Sequence, residues 1–397
     1  MNVQDVLVVG GGVVGLTLAE VLTRHDPALR VTVLEQHGWG SGATGYAGAV
    51  DIPYAHTPFH RELVEAGRQW WKEFQAGAPA PGPRTPLPFA WLVRSREAAA
   101  HLEETLVTPA RPVAGPAGGA WRLPAGATAL AGEAHVIDPG LLTAALVERL
   151  AARPSVRLAE GRRVTDLAPA ADGGVRAVTA DGEEWRAEQC VLALGPWLPG
   201  SPLLSAPGSL RGSEQGPVPG SEQRDVPGSA AVPGSVPGST SGSASAGAPA
   251  APNAGVRTKR VYGLRVALSG PAAVRYGVGS AEDGIFLFPV SGGAYAMSVK
   301  HDVWDVPPEE QPLPADVLAR AAAFLDAVVG PGAWEVTRGR VFADTYTPDA
   351  TPRLLRLSPA DAVFAVTGLH GSGVRLAAGM ATHAAQAVLT CRQGGAA

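Results

Sequence analysis

Three glycines and one acid near the start of the chain carry its clearest chemistry. Residues 6–9 are a short apolar run and Gly10-Gly11-Gly12-Val13-Val14-Gly15 follows. A helical pattern takes up residues 16–22, a second apolar run covers 31–34, and Glu35 closes the unit. That order reads as strand, tight turn, helix and parallel strand. Gly10 permits the turn, Gly12 leaves room for a pyrophosphate against the backbone, and Gly15 lets the helix pack closely on the sheet. The helix N-terminus offers N–H groups and partial positive charge to phosphates. Glu35 lies twenty residues past Gly15, where a carboxylate accepts hydrogen bonds from a ribose hydroxyl. The unit predicts an adenine-dinucleotide site.

The rest of the chain must complete and cover that site. With 397 residues there is length for two domains. A net charge of −4 with 17% charged residues gives no basic surface for nucleic acid or anionic membrane. Cys190 and Cys391 read as two reduced thiols, the nine histidines show no metal-ligand spacing, and no apolar run is long enough to cross a bilayer. The expectation is a cytoplasmic protein.

After the first unit comes a loop of small residues at 38–48, then helical patterns at 60–74 and 95–106 with a strand at 89–93 between them. Asp138-Pro139 is a helix start, with the helix continuing over 141–150. A meander of short strands is expected at 156–158, 164–167, 175–179, 185–187 and 191–194, ending at Gly195-Pro196-Trp197. Residues 201–256 repeat Pro-Gly-Ser among small residues and read as a disordered insertion. Strands are expected at 261–268, 274–278, 284–288, 295–299 and 336–342, with a helix at 315–329. A last strand at 363–367, a glycine loop at 368–373 and a helix at 374–389 repeat the logic of the first unit.

These motifs, in this order, resemble the glycine oxidase, sarcosine oxidase and D-amino-acid oxidase superfamily of FAD-dependent amine oxidoreductases. The matching pieces are Gly10–Gly15 with Glu35, the loop 41–48, Asp138-Pro139-Gly140, residues 191–195 before Trp197, Thr347-Pro348-Asp349, Thr367-Gly368 and Gly371–Gly373. The resemblance implies an α/β fold: a Rossmann-like FAD-binding domain built from 1–75, 133–200 and 341–397. A substrate domain with a large antiparallel sheet would come from 76–132 and 257–340, with the flavin ring between the two. It places Gly10, Gly12, Val13, Val14 and Gly15 at the pyrophosphate and Glu35 with Gln36 at the adenosine ribose. Ser41, Ala43, Thr44 and Gly48 would run beside the phosphates and flavin, Val164 would meet the adenine, and Ala193, Gly195 and Trp197 would line the cofactor. Gly371, Ser372, Gly373 and Val374 would bring N–H groups to the pyrimidine end of the ring, where a helix N-terminus stabilises the charge of the reduced flavin. The cysteine that tethers FAD in some relatives corresponds to Phe342, and 41–50 contains no histidine, so FAD is expected to be non-covalent.

The resemblance implies oxidation of the C–N bond of an amino acid or related small-molecule amine by hydride transfer to flavin N5, with dioxygen as acceptor and hydrogen peroxide as product. A dehydrogenase of the same fold with another electron acceptor is the alternative. An NAD-dependent dehydrogenase and a non-catalytic cofactor-binding scaffold are the other classes weighed. Arg375 falls where sarcosine oxidases hold a substrate carboxylate, and an arginine there could grip it bidentately. Asp344 falls where glycine oxidases place an arginine, a reversal of sign that points to a second amine or a more polar substrate. Phe286 and His370 are expected as pocket walls, with Tyr46, Tyr262 and Tyr346 in reserve. Met297 takes the position of a lysine that promotes oxygen reaction in sarcosine oxidases, and Lys300 is expected on the opposite strand face. Substrate identity, stereochemistry and oligomeric state are left open by the sequence.

Overall fold

The computed structural model describes residues 4–76, 82–116, 120–171, 173–201, 203, 255–309, 311–357 and 362–394. Most of the 201–256 segment therefore lies outside the described residues. Strand Gln4–Val9 is fully apolar after Asp5 and sits at the centre of the first sheet, between the parallel strands Val31–Leu34 and Glu184–Leu192. Val156–Ala159 extends the parallel set beyond Val31–Leu34, and Val363–Thr367 extends it beyond Glu184–Leu192. The strand order reverses direction on either side of Gln4–Val9, so a crevice opens at the carboxyl ends of these strands. Helices Val13–His25, Pro58–Phe74, Pro139–Ala151 and Gly373–Gly394 bury one face of the sheet. Asp138 caps the third of these through the Leu141 N–H at 3.0 Å.

Two strand expectations are corrected here. Residues 185–187 and 191–194 form one strand, Glu184–Leu192, because the polar pair Glu188-Gln189 does not break it; Gln189 pairs with Val6. Its first half takes an antiparallel partner, Val175–Thr179, and its second half pairs with Val363–Thr367. Val156–Ala159 leaves the meander altogether to pair with Val31–Leu34.

The second sheet has eight strands and joins 89–132 to 257–346. Its order is Trp334–Tyr346, Arg257–Leu268, Tyr295–Val299, Ile285–Pro289, Gly277–Ser280, Phe89–Val93, Thr128–Gly132 and Arg111–Val113. Every pair is antiparallel except Gly277–Ser280 with Phe89–Val93. The strand expected at 274–278 starts later because a turn occupies Gly270–Ala272 and Val274 bonds back to Ala272. The strand expected at 336–342 is longer at both ends, Trp334–Tyr346, because its pairing with Arg257–Leu268 runs from Trp334 to Tyr346. Helix Ala315–Val328 covers one face of this sheet, and a small sheet of Val50–Asp51, His135–Ile137 and Arg84–Pro86 lies between the two large ones in sequence. Among the described residues no helix is long and apolar enough to cross a membrane.

Candidate functional site

A cavity of about 1790 Å³ runs from the glycine turn to the second sheet. That exceeds the roughly 300–1,000 Å³ of a site for one drug-sized ligand, and leaves room for a dinucleotide and a small substrate together.

At the nucleotide end the turn is built as the glycines require. Gly10 has φ +113, and a Cβ there would lie 2.4 Å from the Ala193 carbonyl oxygen. A Cβ on Gly15 would lie 2.0 Å from the Gly10 carbonyl oxygen, so this glycine faces packed backbone. Gly12 differs: a Cβ there meets only the Thr44 hydroxyl, at 3.2 Å, and the space beyond belongs to the cavity. Thr44 Oγ1 accepts from the Val13 N–H at 3.0 Å. No acid stands in the first turn of Val13–His25 to cancel its positive end. The Glu35 carboxylate accepts from the Gly11 N–H at 2.7 Å and the His37 N–H at 2.8 Å, which fixes it at the cavity wall. The residues present fit an adenine dinucleotide. Gln36, Ser41, Ala43, Gly48, Val164, Ala193, Gly195 and Trp197 line the same cavity, as do Val13 and Val14.

Further in, the loop before the last helix is tied to strand Trp334–Tyr346. The Gly368 N–H donates to Thr345 Oγ1 at 3.0 Å, and the Gly371 N–H donates to Asp344 Oδ2 at 2.7 Å. His370 and Gly371 both adopt positive φ, at 54° and 70°. His370 Nε2 lies 2.8 Å from Thr347 Oγ1, and burial lowers its pKa to about 4, so it stands neutral. Gly371, Ser372, Gly373 and Val374 line the cavity where the helix begins.

The inner wall is one face of the second sheet. Phe342, Asp344 and Tyr346 alternate along one strand, opposite Val261, Lys259 and Arg257 on the next. Phe286 pairs with Ser298 across the following two strands and both line the cavity. Asp344 is 9% exposed, and desolvation raises its pKa to about 6 against the opposing pull of the Thr345 and Gly371 N–H groups. Among the described residues it has no ion-pair partner, its contacts being those two N–H groups. Burial, and then the Asp344 charge, push the Tyr346 phenol up, so it stays protonated.

Lys259 is a cavity-lining charged residue that the sequence reading missed. It is buried, pairs its ammonium with Asp302, and sits 5.1 Å over the Trp304 ring and 5.3 Å over that of Tyr346. The only signal was the basic Lys259-Arg260 pair entering a strand. Segment 300–309 folds over this point, with Arg257 bound to Asp305.

Several candidates sit elsewhere than expected. Met297 is 1% exposed in the core beneath Ala315–Val328, and Ser298 takes the cavity face. A single step along a strand reverses the face. Lys300 therefore shares the cavity side with Ser298. Tyr262 is fully buried in the same core. Arg375 lines the cavity, but its guanidinium donates to the carbonyls of Ile52 and Tyr54 at 3.3 and 2.9 Å and to Ser372 Oγ at 3.2 Å. It also meets His60 Nε2 at 3.1 Å, so both terminal nitrogens are engaged by the protein and are not a free carboxylate fork. Tyr46 stacks on Phe342 at 5.6 Å, and both line the cavity.

A family model described as FAD dependent oxidoreductase (DAO) matches residues 5–221. The chain is 27% identical over 229 residues to probable malate:quinone oxidoreductase 2 of Pseudomonas aeruginosa, covering 45% of this chain and 43% of that protein. A probable malate:quinone oxidoreductase of Hahella chejuensis is 37% identical over 59 residues, 13% of this chain and 12% of that one. The matches thus span less than half the length of these curated relatives. Among solved structures, L-proline dehydrogenase from P. horikoshii superposes with a TM-score of 0.75 at 14% identity, over 98% of this chain and 94% of that one. Glycine oxidase from Bacillus cereus does so with a TM-score of 0.71 at 12% identity, over 98% and 95%. At these identities the likeness is one of fold.

Proposed function

The chain belongs to the DAO family of FAD-dependent oxidoreductases, and on that premise we propose that it oxidises the C–N bond of an amino acid or related amine to an imine. FAD, when bound, supplies the two-electron chemistry by accepting a hydride at N5. The chain's residues bind, orient and exclude water.

The observation that carries this reading is Asp344, a buried carboxylate on the cavity wall with no ion-pair partner among the described residues. A buried charge without a partner is costly, and an entering ammonium is its complement. The ammonium of Lys259, on the same sheet face, gives a carboxylate-bearing amine a second point of attachment by displacing or sharing Asp302. Lys259 replaces Arg375 in that role, because the guanidinium is engaged by Ile52, Tyr54 and Ser372. Phe286 and Phe342 supply apolar walls to the same chamber. Retention of FAD without a covalent link is part of the proposal, since Phe342 offers no nucleophile.

Anaerobic loss of the oxidised flavin absorbance across glycine, sarcosine, D- and L-amino acids, proline and polyamines tests the reading. Bleaching by at least one amine is expected. Bleaching by malate or another hydroxy acid, with none by any amine, refutes it.

Dioxygen is the proposed acceptor. A second reading, a dehydrogenase passing electrons to a quinone or carrier, is favoured by one observation: the likeness over 229 residues to a probable malate:quinone oxidoreductase. Oxygen consumption against dye reduction with the same amine separates the two.

A further inference from the structure

Near neutral pH most alkylamines are ammonium ions. A carbon beside an ammonium cannot release hydride, because the lone pair needed for the new C=N bond is held by the proton. The site therefore needs a group that removes that proton.

The geometry singles out one. Asp344 lines the cavity next to Phe342 on the sheet face, and it borders the loop that begins the last helix. Its Oδ1 accepts from the Thr345 N–H at 2.8 Å and its Oδ2 from the Gly371 N–H at 2.7 Å. These two bonds fix the carboxylate plane and leave acceptor capacity on each oxygen. The titratable neighbours are otherwise engaged. Lys259, its cross-strand partner, gives its ammonium to Asp302. Tyr346, two residues along the strand, packs edge-on to the His370 ring, which is itself held against Thr347. Arg375, from the last helix, faces Ile52, Tyr54 and His60.

We propose that Asp344 is the proton acceptor for the substrate ammonium, a step that rests on the amine reading above. An N–H bond of the substrate breaks with its electron pair staying on nitrogen, and an O–H bond forms on Asp344. The neutral amine could then give up its α-hydrogen with both bonding electrons, its nitrogen lone pair closing the C=N bond as an iminium, and bound FAD would supply the acceptor for those two electrons. Desolvation sets the Asp344 carboxyl at about 6, so it is ionised at pH 7 yet a better base than an exposed aspartate. The same charge selects amines that enter as cations.

The test compares wild type with Asp344→Asn, which keeps an oxygen for the Gly371 N–H. Flavin reduction is followed anaerobically with two amines, one of ordinary basicity and one whose pKa is below 6. An amine with a lysine-like pKa of about 10.4 is neutral to less than roughly one part in a thousand at pH 7. The variant should therefore reduce roughly 10²–10³-fold more slowly with it, recovering about tenfold per pH unit as the pH rises toward that pKa. With the weakly basic amine the variant should stay within a few-fold of wild type at pH 7. Wild type with the ordinary amine should gain rate through about pH 6. If the variant fails to fold or to hold FAD, wild type decides: the limb should appear with the ordinary amine and be missing near pH 6 with the weakly basic one, and its absence from the first or presence in the second refutes the proposal. Equal slowing with both amines, or an unchanged profile in the variant, also overturns it. Wild type reduced by no amine at all refutes the amine reading instead.

Discussion

Two alanine substitutions, Gly12→Ala and Gly15→Ala, separate the two jobs of the glycine turn. At Gly15 the new methyl carbon would lie 2.0 Å from the Gly10 carbonyl oxygen, so strand and helix must part by about 1 Å to reach the shortest tolerated contact near 3.0 Å. Overpacking of this kind costs about 1–3 kcal/mol, partly offset by the roughly 1 kcal/mol that alanine gains over glycine inside a helix. The expected result is a melting temperature several degrees lower with or without FAD. At Gly12 the methyl meets only the Thr44 hydroxyl, at 3.2 Å, and φ is −74, which alanine adopts freely. The apoprotein should lose no more than about 1 kcal/mol, the cost of a poorer N-cap. FAD binding should weaken by at least about 100-fold, near 2.8 kcal/mol, because the methyl stands where the pyrophosphate must approach. Apoprotein melting and flavin titration by fluorescence read both quantities. Gly12→Ala binding FAD as wild type does, or losing as much apoprotein stability as Gly15→Ala, would refute the assignment of this turn to the pyrophosphate.

Two further outcomes are expected. Burial, then the Arg375 charge, depresses His60 to about 3, so the folded protein keeps it neutral while the unfolded chain protonates it below about 6.5. Its contribution is complete above pH 6.5 and is lost as the pH falls toward 3; urea midpoints should drop over that window, and the slope should flatten in His60→Gln. Lys259→Met should raise KM at least about tenfold for carboxylated amines, the order of a charge-assisted hydrogen bond, with kcat changed less. An amine without a carboxylate should show no such rise in steady-state assays, and equal loss for both would remove Lys259 as the anchor.

The nucleotide half of the site was legible because its determinants are local. Gly10, Gly12 and Gly15 act through a turn of six residues, and Glu35 is placed by one helix and one strand, so spacing alone carries the geometry. The substrate half depends on register between strands far apart in the chain. Met297 and Ser298 exchange faces with a one-residue step, and only pairing with Phe286 and Gly263 decides which is inside. Lys259 and Asp344 are 85 positions apart and pair across two strands because the thirteen-residue strand continues through the polar Asp344-Thr345 pair that would have signalled its end. Arg375 lines the cavity, but its donors are taken by carbonyls of Ile52 and Tyr54, more than 300 residues earlier.

These departures share a physical pattern. The loop 370–373 is held between two buried charges of opposite sign, each without a counter-ion among the described residues: Asp344 accepts the Gly371 N–H, and Arg375 donates to Ser372 Oγ. Both charges are stabilised by hydrogen bonds to neutral groups, which offset only part of the desolvation cost. They do not neutralise each other, since Arg375 is directed at Ile52 and Tyr54 and Asp344 at the sheet side of the loop. A ligand with a cationic nitrogen toward Asp344 completes one of these charges. On the proposed placement of FAD, its electron-rich pyrimidine end would face the other beside Ser372 and Gly373. Binding energy would then be gained at the two faces of the same four residues, and the loop would couple cofactor and substrate occupancy.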